Sequence, residues 1–350
     1  MRICFFGIYN KDYARNNILI NGLRENGVEI IECNEDALNP KRYKLLISKL
    51  LKLKNNYDYV FSAYPSPVPA ILAKIFSRKK IVVDAFYSMY DAVVNDRKEY
   101  YRFHPKALRL LIMDWLSVIV ADIILVDTEM HKNYWASWFL VNGKKIFIVP
   151  NGVDVKRIYP TNNVSENIKN ITVTFYGNYI PLQGVDKIVK AFTLLKNNQD
   201  ISFRMIGNGQ EFEKIQKLVM ELDMKNKIEI VNRVSYEKLN EYLSVTEIVL
   251  GIFGDSDKAK RVVPNKVYEG CAARKAVITM DSPAIREMYS EDEIFMVKSD
   301  PQSIASAIRF LRNNPDKREG FANKCYKKTI EKYSPKAIGF GLMKLLERNK

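Results

Sequence analysis

Three turns in the second half of the chain combine glycines with amide or guanidinium side chains: Gly177-Asn178, Gly207-Asn208-Gly209 and Asn232-Arg233. Each follows a short apolar run of strand type. Glycine lets a backbone come close to a ligand, and a helix start behind such a turn offers N–H groups to an anion. One glycine of this kind is an ordinary turn, but recurrence at successive strand ends points to an anion-binding crevice. Other chemistries are poorly served. Cys4, Cys33, Cys271 and Cys325 stand far apart, with no Cys-x-x-Cys and no histidine nearby, so neither a metal site nor a disulfide framework is expected. The first strand is followed by Gly7 alone rather than Gly-x-Gly-x-x-Gly, which disfavours a dehydrogenase. His104 and His131 are the only histidines, and neither is nominated as a base.

The elements that must carry these turns are legible as apolar runs alternating with amphipathic stretches, the pattern of parallel strands joined by crossover helices. Strands are predicted at Ile3–Phe6, Glu29–Cys33, Tyr59–Ser62, Ile81–Asp84, Ile123–Val126 and Ile146–Val149. The pattern restarts with Ile171–Tyr176, Ile201–Ile206, Ile228–Val231, Ile248–Ile252, Ala276–Thr279 and Ile294–Val297. Among the helices expected between them is one over Asn265–Ala273. Residues 150–170, rich in Asn with two Pro and a Gly, read as the linker. A chain of 350 residues suits two cores. The predicted fold is α/β, with an N-terminal Rossmann-like domain over 1–155 and a second over 156–334, facing each other across a cleft. A last helix over 335–350 packs either back on the first domain or on its own.

Hydrophobic residues at 47 % and charged residues at 27 % leave no compositional case for disorder. The formal charge of +15 is divided almost equally between the two halves, unlike the concentrated arm of a nucleic-acid binder. An anionic membrane surface remains a candidate partner; a nucleic acid is not expected. The start of the chain runs straight into a strand pattern without a signal peptide's apolar stretch. The most apolar stretch, Leu110 to Val126, carries Asp114 and Asp122, so no membrane span is expected. A cytoplasmic location follows, with peripheral attachment to the inner face of a membrane as a refinement.

The second half resembles the retaining glycosyltransferases of family 4, whose two-Rossmann-domain architecture is called GT-B. The resemblance rests on Val149-Pro150-Asn151-Gly152-Val153-Asp154, the turn from Gly177 to Gly184, Ile206-Gly207-Asn208-Gly209, the run Pro264-Asn265-Lys266-Val267-Tyr268-Glu269-Gly270-Cys271-Ala272-Ala273, and Pro283-Ala284-Ile285-Arg286-Glu287. The resemblance implies transfer of a hexose-type sugar from a UDP- or GDP-sugar, with retention, to a saccharide or lipid-linked acceptor in cell-envelope or secreted polysaccharide synthesis. No cofactor and no metal are expected. The implied donor site comprises Gly177, Asn178, Gln183, Gly184, Gly207, Asn208, Arg233, Val234, Pro264, Asn265, Lys266 and Glu269. In it Glu269 accepts hydrogen bonds from ribose hydroxyls, and the helix opening at Pro264 meets the sugar or diphosphate.

Departures from the family pattern are specific. Asn178 and Gln183 stand where such enzymes usually carry Arg and Lys, and Arg261 stands where a Glu is usual. Charge building on a departing diphosphate needs preorganised stabilisation. Lys258, Lys260, Arg261 and Lys266 are the proposed replacements, with Arg261 and Lys266 as catalytic candidates beside Asp91. On the acceptor side Asp91, Asp96 and Arg97 are candidates for orienting a hydroxyl and Arg15 for an anion contact. Capping or ion pairing would serve each of these equally well. Asp255-Ser256-Asp257 resembles a metal-binding Asp-x-Asp, but the nearby cations would compete with a metal. The absence of a convincing carboxylate pair argues against glycoside hydrolysis. Two alternatives remain: a nucleotide-sugar 2-epimerase of the same architecture, and a non-catalytic basic protein that binds polyanions or membranes.

Overall fold

The computed structural model describes residues 1–65, 67–161 and 170–349. Part of the expected linker, residues 162–169, therefore lies outside the described residues. The chain divides into two units, one of Met1–Gly152 with Tyr333–Lys350 and the other of Val153–Lys332.

In the first unit β1 (Arg2–Gly7), α1 (Ala14–Glu25), β2 (Glu29–Asn34), α2 (Arg42–Lys52), β3 (Tyr59–Ser62), α3 (Pro67–Phe76) and β4 (Lys80–Asp84) alternate. A π-helical turn over Asp91–Asp96 precedes α4 (Pro105–Ile119), β5 (Ile123–Val126), α5 (Glu129–Trp138) and β6 (Ile146–Ile148). The six strands pair in parallel in the order β2-β1-β3-β4-β5-β6. Parallel neighbours require crossovers, which cover both faces of the sheet and make its strands continuously apolar. Cys4 and Phe6 of β1 accordingly join a core with residues of α2, α3, α4 and α5, while Ile3 and Phe5 join a second core on the opposite face with α1.

The second unit runs β7 (Ile171–Asn178), α6 (Val185–Thr193), β8 (Ile201–Asn208), α7 (Phe212–Glu221), β9 (Ile228–Val231), α8 (Tyr236–Ser244) and β10 (Ile248–Leu250). It continues with α9 (Asp257–Arg261), α10 (Asn265–Ala272), β11 (Ala276–Met280), α11 (Pro283–Met288), β12 (Phe295–Val297), α12 (Pro301–Asn313) and α13 (Pro315–Tyr333). Its strands are also parallel, in the order β12-β11-β10-β7-β8-β9.

The chain then returns to the first unit as α14 (Pro335–Arg348), which packs on α1. The contact is backbone on backbone: a Cβ at Gly22 would lie 2.2 Å from the Pro335 carbonyl oxygen, and one at Gly339 would lie 2.0 Å from Gly22. Ile338, Leu342 and Leu346 enter the α1 core, and Tyr59 donates from its hydroxyl to the Leu346 carbonyl at 2.7 Å.

Candidate active site

The second sheet reverses its direction of growth between β7 and β10, so the loops leaving these two strands diverge. In open α/β sheets the crevice at such a point, outside the carboxyl ends of the strands, is where ligands bind. From β7 the chain delivers Gly177 and Asn178 and then a 3-10 turn over Pro181–Gln183; from β10 it passes through residues 251–256 into α9 and α10. The two loops are sewn together by backbone contacts. Gly184, at φ 63°, has no room for a side chain because a Cβ would meet Phe253 backbone at 2.4 Å. Gly207, at φ 133°, lies against the Gly177 carbonyl oxygen, which a Cβ would approach to 2.0 Å. At both positions the missing side chain lets neighbouring chain approach closely.

Gly177 differs. The space where its side chain would be is occupied by Lys266, whose Nζ would lie 3.1 Å from a Cβ there. Lys266 sits in the first turn of α10, behind Pro264, whose position at the N-cap provides no side-chain cap. Its Nζ donates to Gln183 Oε1 at 2.5 Å and rests 3.8 Å from the centre of the Phe175 ring. Burial pushes the ammonium well below the usual lysine range, with Glu269 acting against that shift. Gln183 and Lys266 are therefore joined in one polar contact, and the cation of that contact comes from α10 rather than from the turn.

Glu269 follows Lys266 by three residues on the same helix and is also buried. Its Oε1 accepts from the Tyr236 hydroxyl at 3.2 Å, and the buried Tyr176 hydroxyl, which donates to the Lys266 carbonyl at 3.3 Å, favours the same carboxylate's charged form. Burial raises its pKa against the opposing pull of Tyr176, Tyr236 and Lys266. The negative charge of Glu269 in turn raises Tyr236 above the usual tyrosine range. Arg157 lies over the Tyr236 ring at 5.8 Å. The expected ribose carboxylate is thus already hydrogen-bonded, by Tyr236, a tyrosine outside the sequence motif. The signal available for Tyr236 was its place at the start of α8, directly after the capping Ser235.

The remaining expected donor residues lie on the rim. Exposed Arg233 donates to Asn178 Oδ1, joining the ends of β7 and β9. The Asn208 side chain accepts from the Gly209 amide at 2.7 Å, Val234 is half-buried, and Asn265 opens α10. Lys258, Lys260 and Arg261, expected in a loop, form the short helix α9, capped by Ser256 and packed against the Pro181–Gln183 turn and α11. Arg261 is half-buried there. The carboxylates of the Asp-x-Asp pattern are paired with lysines: Asp255 with Lys187 at 2.5 Å and Asp257 with Lys260 at 3.5 Å.

In the first unit the anion contact expected of Arg15 is replaced by an internal role. Its guanidinium is fully buried, pairs with Asp84 at 2.9 Å and donates to the carbonyls of Val149 and Pro150 at 2.7 and 2.9 Å. It ties β4 to the end of the unit. Asp91 and Asp96 are buried in the π-helical turn, with Asp91 accepting from Asn95 at 2.9 Å; half-buried Arg97 pairs with Glu99 at 3.6 Å. Asp114 accepts from Ser88 and from the Tyr90 amide, and burial pushes it up to about 6. His131 and Asp127 form a buried hydrogen-bonded pair.

Two family descriptions match the chain: "Glycosyltransferase Family 4" over residues 17–157 and "Glycosyl transferases group 1" over residues 161–328. The chain belongs to the GT4-type glycosyltransferases. This glycosyltransferase is 26 % identical over 208 residues to the chitobiosyldiphosphodolichol beta-mannosyltransferase of Kluyveromyces lactis, a match covering 57 % of the chain and 44 % of that enzyme. It is 23 % identical over 230 residues to the O-antigen chain mannosyltransferase of Salmonella typhimurium, covering 65 % of the chain and 59 % of the relative. The matches thus span about half the length of such relatives. Two solved structures share the GT-B fold over 99 % of the glycosyltransferase. The sucrose-phosphate synthase of Thermosynechococcus elongatus matches over 98 % of its length with TM-score 0.77 and 13 % identity. Anabaena HepE in complex with UDP-glucose matches over 100 % with TM-score 0.73 and 12 % identity.

Proposed function

We propose that this chain moves a hexose from a UDP- or GDP-sugar to a saccharide or lipid-linked acceptor, with retention, in cell-envelope or secreted polysaccharide synthesis. The observation that carries the reading is the position of Lys266 at the sheet's switch point, between Gly177 and Gln183 and in the first turn of α10. The diphosphate would lie against this turn, where N–H groups lacking intrahelical partners and the Lys266 ammonium both face charge that grows as the glycosidic bond breaks. Ribose hydroxyls would share Glu269 with Tyr236. Retention is supported by the family resemblance, in which the leaving diphosphate takes the acceptor's proton on the same face of the sugar. The protein then contributes positioning and charge stabilisation rather than a nucleophile. No metal is assigned a role, and Asp255 and Asp257 already hold lysines. The description of a relative as an O-antigen chain mannosyltransferase supports a polysaccharide setting.

The test is incubation of UDP- and GDP-hexoses with oligosaccharide and lipid-linked acceptors, followed by NMR of the product's anomeric proton. A new glycoside with the donor's anomeric configuration is expected. Conversion of the donor without acceptor would instead favour the epimerase, and an inverted product would remove the retaining mechanism.

A further inference from the structure

The outer face of α4 is apolar where the fold gives it nothing to cover. Ala107, Asp114, Ser117 and Val118 point inward, whereas Leu108, Ile112, Trp115 and Ile119 are 42 %, 50 %, 44 % and 45 % exposed. Their spacing of four, three and four residues makes one stripe along the helix. The segment leading into α4 adds Tyr101 and Phe103, 68 % and 81 % exposed. Helix α3 packs beside α4 and ends with exposed Ile75 and Phe76. Isolated exposed apolar residues are ordinary on a protein surface, whereas a continuous stripe that includes a tryptophan, extended by neighbouring aromatics, is the kind of patch that marks an interaction site.

The charges around the stripe select the partner. Arg102, Lys106 and Arg109 are exposed along it, and Arg78 and Lys74, the latter paired with Asp122 at 3.4 Å, flank the apolar end of α3. Between Tyr100 and Ala121 the only carboxylate is Asp114, which is buried and hydrogen-bonded to Ser88 and the Tyr90 amide. The carboxylates flanking that stretch, Asp122 and Glu99, are paired with Lys74 and Arg97, so the exposed face carries apolar groups and a net excess of cations. A second copy of the chain on this face would oppose cation to cation. A bilayer containing anionic lipid meets both needs, with acyl chains for the stripe and headgroup phosphates for its basic margin. No helix among the described residues is long and apolar enough to cross a membrane, which leaves contact in the plane of the interface.

We propose that the α4 face of the first unit is a docking surface for anionic lipid bilayers. The inference goes beyond the sugar-transfer reading, since it uses none of the residues assigned to that site. Flotation of the full chain with vesicles tests it, comparing phosphatidylcholine alone with an equimolar mixture of phosphatidylcholine and phosphatidylglycerol. Binding to the mixed vesicles is expected to be at least about tenfold tighter, since each basic residue near an anionic surface contributes on the order of a factor of five. Ile112→Glu with Trp115→Glu should abolish flotation. Arg102→Glu with Arg109→Glu, all on exposed positions, should remove the preference for phosphatidylglycerol. The proposal is overturned if wild type stays with the pellet in mixed vesicles, or if both double variants float like wild type. It is equally overturned if the wild type sediments as a dimer without lipid and Ile112→Glu with Trp115→Glu sediments as a monomer. Thermal shifts with UDP and GDP on the same preparations keep the readings apart: nucleotide binding without flotation removes only the docking surface, and flotation without nucleotide binding removes only the donor site.

Discussion

Lys266 is a costly residue to keep where it is. Burial depresses its pKa, and an apolar side chain of similar volume would avoid that penalty, as replacing buried charges often does. Lys266→Met should therefore leave the melting temperature unchanged or raised while kcat falls by about ten- to a thousandfold, from loss of roughly 1.4 to 4 kcal/mol of transition-state stabilisation. Melting curves and steady-state kinetics check both halves; a melting temperature that drops with unaltered kcat makes the lysine structural. Arg261→Ala, on the neighbouring α9, is expected to lower kcat by about tenfold. The depressed pKa also predicts proton uptake. A diphosphate beside Nζ raises the lysine's pKa in the complex, so binding takes up protons and weakens as pH rises between the empty-site and bound-site values. Titration calorimetry in buffers of different ionisation enthalpy measures that uptake directly. For the carboxylate, Glu269→Gln should weaken nucleoside diphosphate binding by about one to two decades, whereas Tyr236→Phe, which leaves the acceptor oxygens in place, should not weaken it.

At the level of elements the strands were the most legible part of the chain, because parallel strands buried on both faces read as unbroken apolar runs. The bounds expected for Tyr59–Ser62, Ile123–Val126 and Ile228–Val231 match the strands to the residue. Helix α9 looks like a charged loop in the sequence because its five residues bury only Lys258 and Ala259, too few to show a helical period. Asn178, Gln183 and Lys266 could be singled out from the motif and its departures, but the contact between Gln183 and Lys266 joins residues 83 apart and exists only through the strand order. Tyr176 and Tyr236 are hidden from the sequence for the same reason: neither lies near Glu269 along the chain. The inward role of Arg15 depends on Asp84 and on carbonyls more than a hundred residues away. The packing of α14 on α1 yields its own expectation. Gly339→Leu should push the two helices apart and destabilise the first unit by about 1 to 3 kcal/mol or more, the usual range for overpacking. Denaturant unfolding with a probe in that unit detects it; an unchanged midpoint means the helices separate without loss.

For the whole molecule, the charge of +15 predicts a broad attraction for phosphorylated ligands that salt should weaken, and the proposed donor site at the switch point predicts a specific one. Sugar transfer is expected to survive EDTA, and activity that vanishes on chelation and returns with Mn²⁺ would require Asp255 and Asp257 to be reassigned. The second unit is proposed to bind a nucleoside diphosphate between the β7 turn and the start of α10. Thermal unfolding of the wild type and of Lys266→Met in the presence of UDP or GDP addresses it most directly. One of the two nucleotides, at about a hundred times its dissociation constant, should stabilise the wild type by roughly 2.7 kcal/mol, a rise of several degrees, and stabilise Lys266→Met less. No shift with either nucleotide, or equal shifts in both proteins, would contradict the account.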